Sequence, residues 1–374
     1  MIDVSARRVW LKLGEPVTTA AGRQRLAEVV EVTVRRGDTA GYGEAAAVGR
    51  HGETAATALA FLRDAETRRA LGDDAAPDAV RERLARRPGH EAAKAALDAA
   101  LHDLWGKAAG QPVWRLVGAT AATPPSSWTV SLGAPATMAD AAAAAPRDVR
   151  RLKLKLGGRD GRDVERVAAV RAVTDRPLQV DVNEAWSFEE ALASLPELVG
   201  YGIELCEQPL RAGDAGAAEL KRRSPVPVFL DEECQTVADV PACAERGHGV
   251  NVKLAKCGGI GAALMLIAEA RRCGLGVMIG CMAESSLGVA AAAHVSSLCD
   301  YADLDSNLHL SRDPWQGLAF EGGAQVPADA PGLGVARAPS PRAERVAEAA
   351  TAVYRGLVRP HLRRAYGLAR KRVR

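Results

Sequence analysis

Hydrophobic and polar positions alternate strictly over residues 151–158, which read RLKLKLGG. Three leucines alternate there with Arg151, Lys153 and Lys155. A period of two residues is typical of a β-strand, whose successive side chains point to opposite faces. In an edge strand the three cations would face water. In a central strand the lysines would point into an enclosed space, which would require a chemical reason.

The hydrophobic pattern after residue 127 predicts a repeated strand–helix unit. The TPPSS sequence at 123–127 continues neither a helix nor a strand and marks a boundary. The predicted strands are 128–132, 150–156, 177–182, 202–207, 226–231, 249–256, 275–281 and 299–304, with helices between them. Such alternation predicts an α/β fold with parallel strands, and eight strands over about 180 residues favour a closed (β/α) barrel. A doubly wound open sheet is the alternative.

The first part of the chain has a different pattern. Two β-rich runs, 2–13 and 27–36, are followed by helical patterns around 53–70 and 90–109, which predicts a compact α+β unit. We therefore expect three parts: an α+β unit over 1–122, the barrel over 123–314 and a C-terminal segment over 315–374. The last helix of that segment is expected to pack back on the N-terminal unit.

Composition excludes several classes of protein. The 49 basic and 46 acidic residues give a net charge of only +3, which does not indicate nucleic-acid binding. The basic tail RPHLRRAYGLARKRVR is interpreted as a solvated helix rather than a binding patch. The N-terminus lacks an apolar signal region, and no apolar run approaches the ~18 residues of a membrane span. Seven cysteines without a C-x-x-C pair fit reduced thiols, so a cytoplasmic location without membrane contact is expected.

A charged residue stands at the end of five consecutive predicted strands. These residues are Lys155, Asp181, Glu207, Asp231 and Lys256, and their separations of 26, 26, 24 and 25 residues match one strand–helix unit. In a barrel, the carboxyl ends of the strands form one rim, where such folds hold their active sites. The sequence therefore predicts that three carboxylates converge, with lysines on either side.

Three adjacent carboxylates repel one another unless a cation lies among them, and an all-oxygen ligand set suits Mg²⁺. Such a site can bind a substrate carboxylate and stabilise the charge that develops when the neighbouring α-proton is removed. A lysine beside another cation in an enclosed site can act as the base. We predict that Lys153 and Lys155 face the interior, that Lys153 lowers the pKa of Lys155, and that Lys256 approaches the α-carbon from the opposite face.

These residues resemble the enolase superfamily, specifically its muconate-lactonizing-enzyme subgroup, in which a K-x-K strand, three strand-end carboxylates and a sixth-strand lysine are characteristic. The resemblance covers nearly the whole chain. It implies a (β/α)₇β barrel, a modified TIM barrel, with a capping domain formed by the N-terminal part and the C-terminal segment. It also implies Asp181, Glu207 and Asp231 as Mg²⁺ ligands, and Lys155 and Lys256 as the acid/base pair.

The resemblance further implies that Asn183 and Glu232 support the metal ligands. Glu233 and Cys234 depart from the family pattern, which usually has a small hydroxyl residue after the Asp-Glu pair. Lys253 competes with Lys256 on strand parity alone. Lys256 is favoured because the following Gly258 and Gly259 place it nearer the rim.

The last two strands bear on the substrate. Glu284 is expected at the seventh strand end, and Asp303 and Asp305 at the eighth, where alternate positions share a face. Two further carboxylates on an acidic rim are costly unless they meet a cation, such as a substrate ammonium. An exposed acidic turn is the structural alternative. The D-x-D pattern most resembles the dipeptide epimerases of the L-Ala-D/L-Glu type, in which it binds the terminal amine of the dipeptide.

Other functions stay open at this point. N-succinylamino acid racemases, o-succinylbenzoate synthases and muconate cycloisomerases share the metal and lysine pattern. A noncatalytic binding protein would not need both lysines, and a Schiff-base aldolase would not need three carboxylates. In the loop TTAAGRQRLAE, Arg23 is either a ligand for an acidic substrate side chain or a surface residue. Association into a homo-oligomer is possible in this family.

Overall fold

A computed structural model describes residues 2–72 and 76–339 of the chain. The chain begins with an antiparallel sheet of three strands in the order β1 (Ile2–Thr19), β2 (Gly22–Arg36) and β3 (Thr39–Ala45). The helices that follow are α1 (Ala55–Arg63), α2 (Ala65–Ala70), α3 (Pro77–Ala85), α4 (Glu91–Ala109) and α5 (Val113–Leu116). Helix α4 packs directly on β3, since a Cβ at Gly43 would lie 1.9 Å from the Ala96 carbonyl oxygen. These elements form the capping domain.

Eight parallel strands follow and pair in strictly consecutive order. They are β4 (Ser127–Val130), β5 (Arg151–Lys155), β6 (Leu178–Asp181), β7 (Ile203–Glu207), β8 (Val228–Leu230), β9 (Gly249–Lys253), β10 (Gly276–Gly280) and β11 (Tyr301–Asp303). A parallel bridge between Ser126 and Ala302 joins the last strand to the first. The sheet is therefore a closed barrel, and the doubly wound alternative is wrong.

Helices connect the strands and cover the outside of the barrel. They are α6 (Pro135–Ala143), α7 (Asp163–Arg171), α8 (Phe188–Val199), α9 (Ala217–Arg223), α10 (Val240–Arg246), the single turn α11 (Leu254–Cys257), α12 (Ile260–Arg272) and α13 (Ser286–Ala293). Between β11 and residue 339, where the description ends, no helix leads to a further barrel strand, so the architecture is the predicted (β/α)₇β barrel with a capping domain. Within the described ranges, no helix has the length and apolar character needed to cross a membrane.

The predicted runs 2–13 and 27–36 are parts of the longer strands β1 and β2, and β3 was not predicted. The eight predicted barrel strands agree with the structure to within a few residues, with one consequential exception. Strand β9 ends at Lys253 rather than at residue 256, and α11 begins at Leu254. Gly258 then adopts a φ of 99° and Gly259 a φ of 116°, conformations that residues with a Cβ rarely adopt. Because α11 begins at Leu254, the chain leaves the strand direction before it reaches Lys256.

Residues after β11 return to the capping domain. Four short strands, β12 (Trp315–Gln316), β13 (Ala319–Glu321), β14 (Ala324–Val326) and β15 (Ala336–Arg337), form two small antiparallel sheets. Trp315 Nε1 donates to Glu31 Oε1 on β2 at 2.9 Å, and Arg337 forms an ion pair with the same carboxylate. The predicted last helix lies outside the described residues.

Candidate active site

Three of the predicted residues end neighbouring strands at the same level of the barrel. Lys155 on β5 is the register partner of Asp181 on β6, and Asp181 is the partner of Glu207 on β7. Asp231 follows β8 directly. The carboxylates of Asp181, Glu207 and Asp231 are buried. The period of two in RLKLKLGG thus places Lys153 and Lys155 on the interior face of a central strand.

Lys153 lies at the centre of this carboxylate cluster. Its Nζ is 2.7 Å from Glu207 Oε2, 3.2 Å from Asp181 Oδ2 and 2.6 Å from Asp303 Oδ2. Burial alone would lower the pKa of this fully buried lysine, but the three negative charges outweigh burial and hold its pKa well above the usual range. Lys153 is therefore a fixed cation. It contacts Asp181 Oδ2 together with Lys155, whose Nζ lies 2.6 Å from that atom.

The three carboxylates differ in how their charge is compensated. Burial raises the pKa of Asp181, but Lys155 and Lys153 outweigh it and hold the pKa below the ordinary value. Asp231 is likewise held well below its usual pKa, since Lys253 and Lys256 outweigh its burial. Glu207 keeps a raised pKa because burial exceeds the attraction of Lys153. Glu207 is therefore the carboxylate of the three whose negative charge is least compensated.

The polar atoms around the three carboxylates fit a hard divalent cation. Asn183 Oδ1 and Glu232 Oε2 are buried without a hydrogen-bond donor, and Glu207 Oε2 has the Lys153 ammonium nearby but no aligned hydrogen bond. Oxygen donors of this kind are the ligands that Mg²⁺ prefers. In the described part of the chain, no three His, Cys, Asp or Glu side chains are arranged closely enough to hold a metal ion. Lysine ammonium groups contact the carboxylates of Asp181 and Asp231 in this arrangement.

Asn183 and Glu232 lie beside the cluster, as the resemblance implies. Asn183 donates its backbone N–H to Asp181 Oδ1 at 3.0 Å and its side-chain amide to Glu232 Oε1 at 3.4 Å. Burial, followed by repulsion from Asp231 and Asp181, raises the pKa of Glu232 to about 8. Arg50, from the loop after β3, forms an ion pair with Glu232. The unusual Glu233 points elsewhere and pairs with Arg246.

Lys253, and not Lys256, faces the cavity that Lys155 lines. Lys253 Nζ lies 2.7 Å from Asp231 Oδ2, and its side chain lines a cavity of about 200 Å³ together with Lys155. Its pKa is raised because Asp231 and Glu207 outweigh the lowering effect of burial. The prediction that Lys256 lies nearer the rim is wrong, because α11 carries it behind the strand end.

Lys256 has a different environment. Its Nζ donates to the carbonyl oxygens of Asp231, Cys234 and Asn251 at 2.6, 2.8 and 2.9 Å, and to Asp231 Oδ1 at 2.6 Å. Its side chain is 1% exposed. These bonds tie the loop after β8 to strand β9. The geometry therefore assigns Lys256 a structural position next to a predicted metal ligand.

Asp303 and Asp305 both line the cavity. Asp303 Oδ2 binds Lys153, while its Oδ1 is buried without a hydrogen-bond donor. Asp305 Oδ2 accepts the backbone N–H of Thr129 at 2.6 Å and faces His309 Nε2 at 2.9 Å. The pair is thus buried rather than an exposed acidic turn. Sequence reasoning did not select His309, although its position four residues after Asp305 is the spacing of side-chain pairs on one helical face.

Two residues that were predicted to contact the substrate, Glu284 and Arg23, do not line the cavity. Glu284 accepts the backbone N–H of Met282 at 2.9 Å and organises the loop before α13. Arg23 and Gln24 are both exposed residues of β2. Arg23 pairs across the hairpin with Thr18, whereas Gln24 pairs with Val17 and lines the cavity with it. Directly paired residues share a face of a sheet, so the hairpin register turns Gln24 inward and Arg23 outward.

The remaining cavity wall is largely apolar. Leu13 and Val17 from the capping domain face Met282 and Ala283 from the loop after β10. A larger cavity of about 330 Å³ lies between the capping domain and α12 and contains none of the predicted site residues. Of the residues predicted for the site, Lys155, Asp303 and Asp305 line the smaller cavity, to which the β1–β2 hairpin contributes one wall.

Comparison with known protein families and curated proteins identifies relatives of this chain. Residues 136–339 match the enolase C-terminal domain-like family, and residues 1–118 match the N-terminal domain family of mandelate racemase / muconate lactonizing enzyme. The chain is 36% identical over 341 residues to the hydrophobic dipeptide epimerase of Roseobacter litoralis, an alignment that covers 89% of this chain and 98% of that relative.

Two solved structures are similar over 90% of the chain. One is a dipeptide epimerase from Cytophaga hutchinsonii complexed with Mg and the dipeptide D-Ala-L-Val, with a TM-score of 0.81, 28% identity and 96% of that chain covered. The other is an N-succinyl Arg/Lys racemase from Bacillus cereus, with a TM-score of 0.85, 27% identity and 95% of that chain covered.

Proposed function

Because this chain belongs to the mandelate racemase / muconate lactonizing enzyme branch of the enolase superfamily, we propose that it is a dipeptide epimerase that inverts the α-carbon of the C-terminal residue of a dipeptide. The observation that carries the proposal is one cavity lined by two lysines and two aspartates: Lys155, Lys253, Asp303 and Asp305. The lysines suit proton transfer at carbon. The aspartates suit a substrate ammonium.

The proposed metal ligands are Asp181, Glu207 and Asp231, supported by Asn183 and Glu232. Mg²⁺ held there supplies positive charge that makes the α-proton of a bound carboxylate more acidic. The lysines contact the same carboxylates, Lys155 at Asp181 and Lys253 at Asp231. With a cation held by Asp181, Glu207 and Asp231, Lys155 and Lys253 would be less tightly paired with Asp181 and Asp231, and either lysine could exchange a proton with the substrate.

Lys155 and Lys253 form the proposed acid/base pair. They come from β5 and β9, four strands apart around the barrel, and both reach the same cavity. Inversion requires one group to remove the proton from one face of the α-carbon and another to return a proton to the opposite face. In the reverse direction the two lysines exchange roles. Lys153 stays protonated and supplies fixed positive charge.

The cavity supports a free amine at one end and an uncharged side chain at the other. Asp303 Oδ1 is a buried carboxylate oxygen without a donor, which suits a substrate N–H group. The capping-domain residues of the cavity, among them Leu13, Val17 and Gln24, carry no charge. We therefore propose dipeptides whose second residue is apolar or small in preference to those ending in glutamate.

The alternative is an N-succinylamino acid racemase or a related enzyme of the branch, such as an o-succinylbenzoate synthase or a muconate cycloisomerase. Its substrate would carry an acylated amine or none, so Asp303 and Asp305 would face no cation. Two buried carboxylates beside the reacting centre disfavour such a substrate. The two aspartates in the cavity therefore favour a dipeptide with a free amine over an N-acylated amino acid as the substrate.

Deuterium uptake tests the proposal. The protein is incubated with Mg²⁺ and a dipeptide library in D₂O, and mass spectrometry identifies each dipeptide that gains deuterium at the α-carbon. We expect uptake by free-amine dipeptides and none by their N-acetyl forms. Asp303→Asn and Asp305→Asn should each lower kcat/KM about tenfold to a hundredfold for free-amine dipeptides, because each removes one charge-assisted hydrogen bond to the substrate. Equal uptake by acetylated compounds would favour the racemase alternative.

We further propose the three-part division at 1–122, 123–314 and 315–374, supported by the contacts of Trp315 and Arg337 with the capping domain. A cytoplasmic location is supported by the seven cysteines, all of which lie in the described residues as free thiols. A homo-oligomer stays a prediction.

A further inference from the structure

His309 occupies a position in the cavity that the proton-transfer chemistry does not use. It ends the 3₁₀ turn Ser306–His309 after β11 and lines the cavity with Asp305. Its ring lies 4.3 Å from that of Trp128 on β4, and its side chain is 19% exposed. The ring is therefore held in place by packing, with one nitrogen directed at Asp305.

The contact with Asp305 is specific to one oxygen. His309 Nε2 lies 2.9 Å from Asp305 Oδ2, and the backbone N–H of Thr129 donates to the same oxygen at 2.6 Å. Because a carboxylate accepts hydrogen bonds, Nε2 carries the proton in this contact. When His309 is neutral, the His309–Asp305 pair has a charge of −1. When His309 is protonated, the pair has no net charge.

We propose that His309 is a positioning residue that sets how much negative charge Asp305 offers to the substrate ammonium, so that free-amine dipeptides bind more tightly once His309 has lost its proton. This inference rests on the proposed function. The affinity of a neutral N-acyl group should not depend on His309. The residue thus contributes to discrimination between free and acylated amines.

Other charged or titratable groups also lie around His309, among them Cys281, whose thiol has a pKa raised by burial. Asp303, from β11, is the second carboxylate nearby and is paired with Lys153. Lys155 on β5 and Lys253 on β9 line the same cavity. The capping hairpin contributes Leu13, Val17, Thr19 and Gln24, and β4 contributes Thr129, none of which titrates in this range.

The contact between His309 and Asp305 determines whether affinity for a free amine rises or falls with pH. Burial lowers the pKa of His309, but Asp305 outweighs burial and raises the pKa above the ordinary value. His309 therefore keeps its proton to a higher pH than an unperturbed histidine does. Linkage requires that protonation of His309 and binding of an ammonium at Asp305 oppose each other by the same factor. A bound free amine must then lower the pKa of His309.

The test uses a ligand that cannot epimerise. L-Alanyl-α-aminoisobutyrate has the free amine but no α-proton on its second residue. Imidazole NMR of the Mg²⁺-loaded protein follows the pKa of His309, assigned by the loss of its signals in His309→Gln. We expect the pKa to fall on saturation with this dipeptide and to stay constant with its N-acetyl form.

Affinity provides the second measurement. Between pH about 5.5 and about 7 the ligand amine stays protonated, and wild-type affinity should rise about threefold to tenfold by linkage. The N-acetyl form serves as the reference, because groups such as Glu232, whose pKa is raised to about 8, affect both ligands alike. In His309→Gln the rise relative to this reference should vanish. His248→Gln is the matched control, because His248 accepts the backbone N–H of Val228 and does not line the cavity. That variant should keep the wild-type rise.

Two outcomes would overturn the inference. One is a His309 pKa that does not respond to the free-amine ligand, which is measured in the wild-type protein and needs no stable variant. The other is a pH dependence of the affinity ratio between the free-amine and N-acetyl ligands that persists unchanged in folded His309→Gln. Deuterium exchange into dipeptides together with either result would leave the proposed function standing. Absence of exchange from every dipeptide would instead refute that function.

Discussion

Lys253 and Asp303 flank Gly280 at one level of the barrel, since both are its register partners on the neighbouring strands β9 and β11. A Cβ at Gly280 would lie 2.6 Å from Asn251 Oδ1 and 3.0 Å from Lys253 Cε. The absence of a side chain at this position therefore leaves space for the lysine that reaches the cavity. It also leaves space for Asn251, which donates to Glu207 at 2.8 Å.

Gly280→Ala should consequently impair catalysis through Lys253 and Glu207. We expect kcat to fall about tenfold to a hundredfold through misplacement of these groups, with a loss of about 1–3 kcal/mol in stability from overpacking. Steady-state kinetics and thermal unfolding measure the two effects. Gly200→Ala is the control, because its Cβ would make only an ordinary 3.6 Å contact. Wild-type kinetics in Gly280→Ala would contradict the close packing.

Substitution of Lys253, on β9, and of Lys256, on α11, should have different effects. Lys253→Ala should lose epimerisation by a factor of about 10² to 10⁴ while the protein stays folded, as expected for an acid/base group. Any exchange that survives in Lys253→Ala and in Lys155→Ala should involve opposite stereoisomers. Deuterium uptake by each pure stereoisomer checks this. Survival of exchange on the same stereoisomer in both variants would refute the pair.

Lys256→Met should instead destabilise the fold. It removes the ammonium from three backbone carbonyls and from Asp231 Oδ1, and breaking a buried pair costs about 3–5 kcal/mol. Denaturant unfolding measures this loss, and Lys253→Ala serves as the comparison. A stable Lys256→Met protein that cannot exchange one stereoisomer would restore Lys256 as the catalytic lysine.

Removal of divalent cations should abolish activity, and Mg²⁺ should restore it. Asp181→Asn should lower turnover about a thousandfold or more by weakening charge stabilisation at the rim, although the barrel should remain folded because rim residues serve function more than stability. Calorimetric titration with Mg²⁺ should show binding to the wild type and weaker binding to Asp181→Asn. Full activity in a verified metal-free preparation would exclude the proposed mechanism.

We predict that Gln24, and not Arg23, determines side-chain preference, because the hairpin register places Gln24 on the face that lines the cavity. Arg23→Ala should change kcat/KM less than about twofold, in keeping with an exposed residue. Gln24→Arg places a cation in the cavity and should improve L-Ala-L-Glu about tenfold relative to L-Ala-L-Leu, through one charge-assisted hydrogen bond. Competition between the two dipeptides measures the ratio. A strong effect of Arg23→Ala would contradict the register.

Much of the rim could be predicted from sequence because two simple periodicities control it. Alternation along β5 sends Lys153 and Lys155 to the same face. The constant length of the strand–helix unit brings Asp181 and Glu207 to one level and Asp231 to the same rim, two residues beyond the partner of Glu207. Both are properties of local backbone geometry and need no knowledge of distant contacts. The eight strands and their order follow from the same repetition.

The tertiary structure alone decided where the ends of these elements turn. Lys253 and Lys256 are three residues apart, and a change from strand to helix at Leu254 separates a cavity residue from a structural one. Arg23 and Gln24 differ by one residue, and only the pairing of β1 with β2 determines which faces inward. Contacts such as Asp305 with Thr129 form between segments 176 residues apart. Side-chain alternation along one strand carries no information about such contacts, because they depend on how the barrel closes.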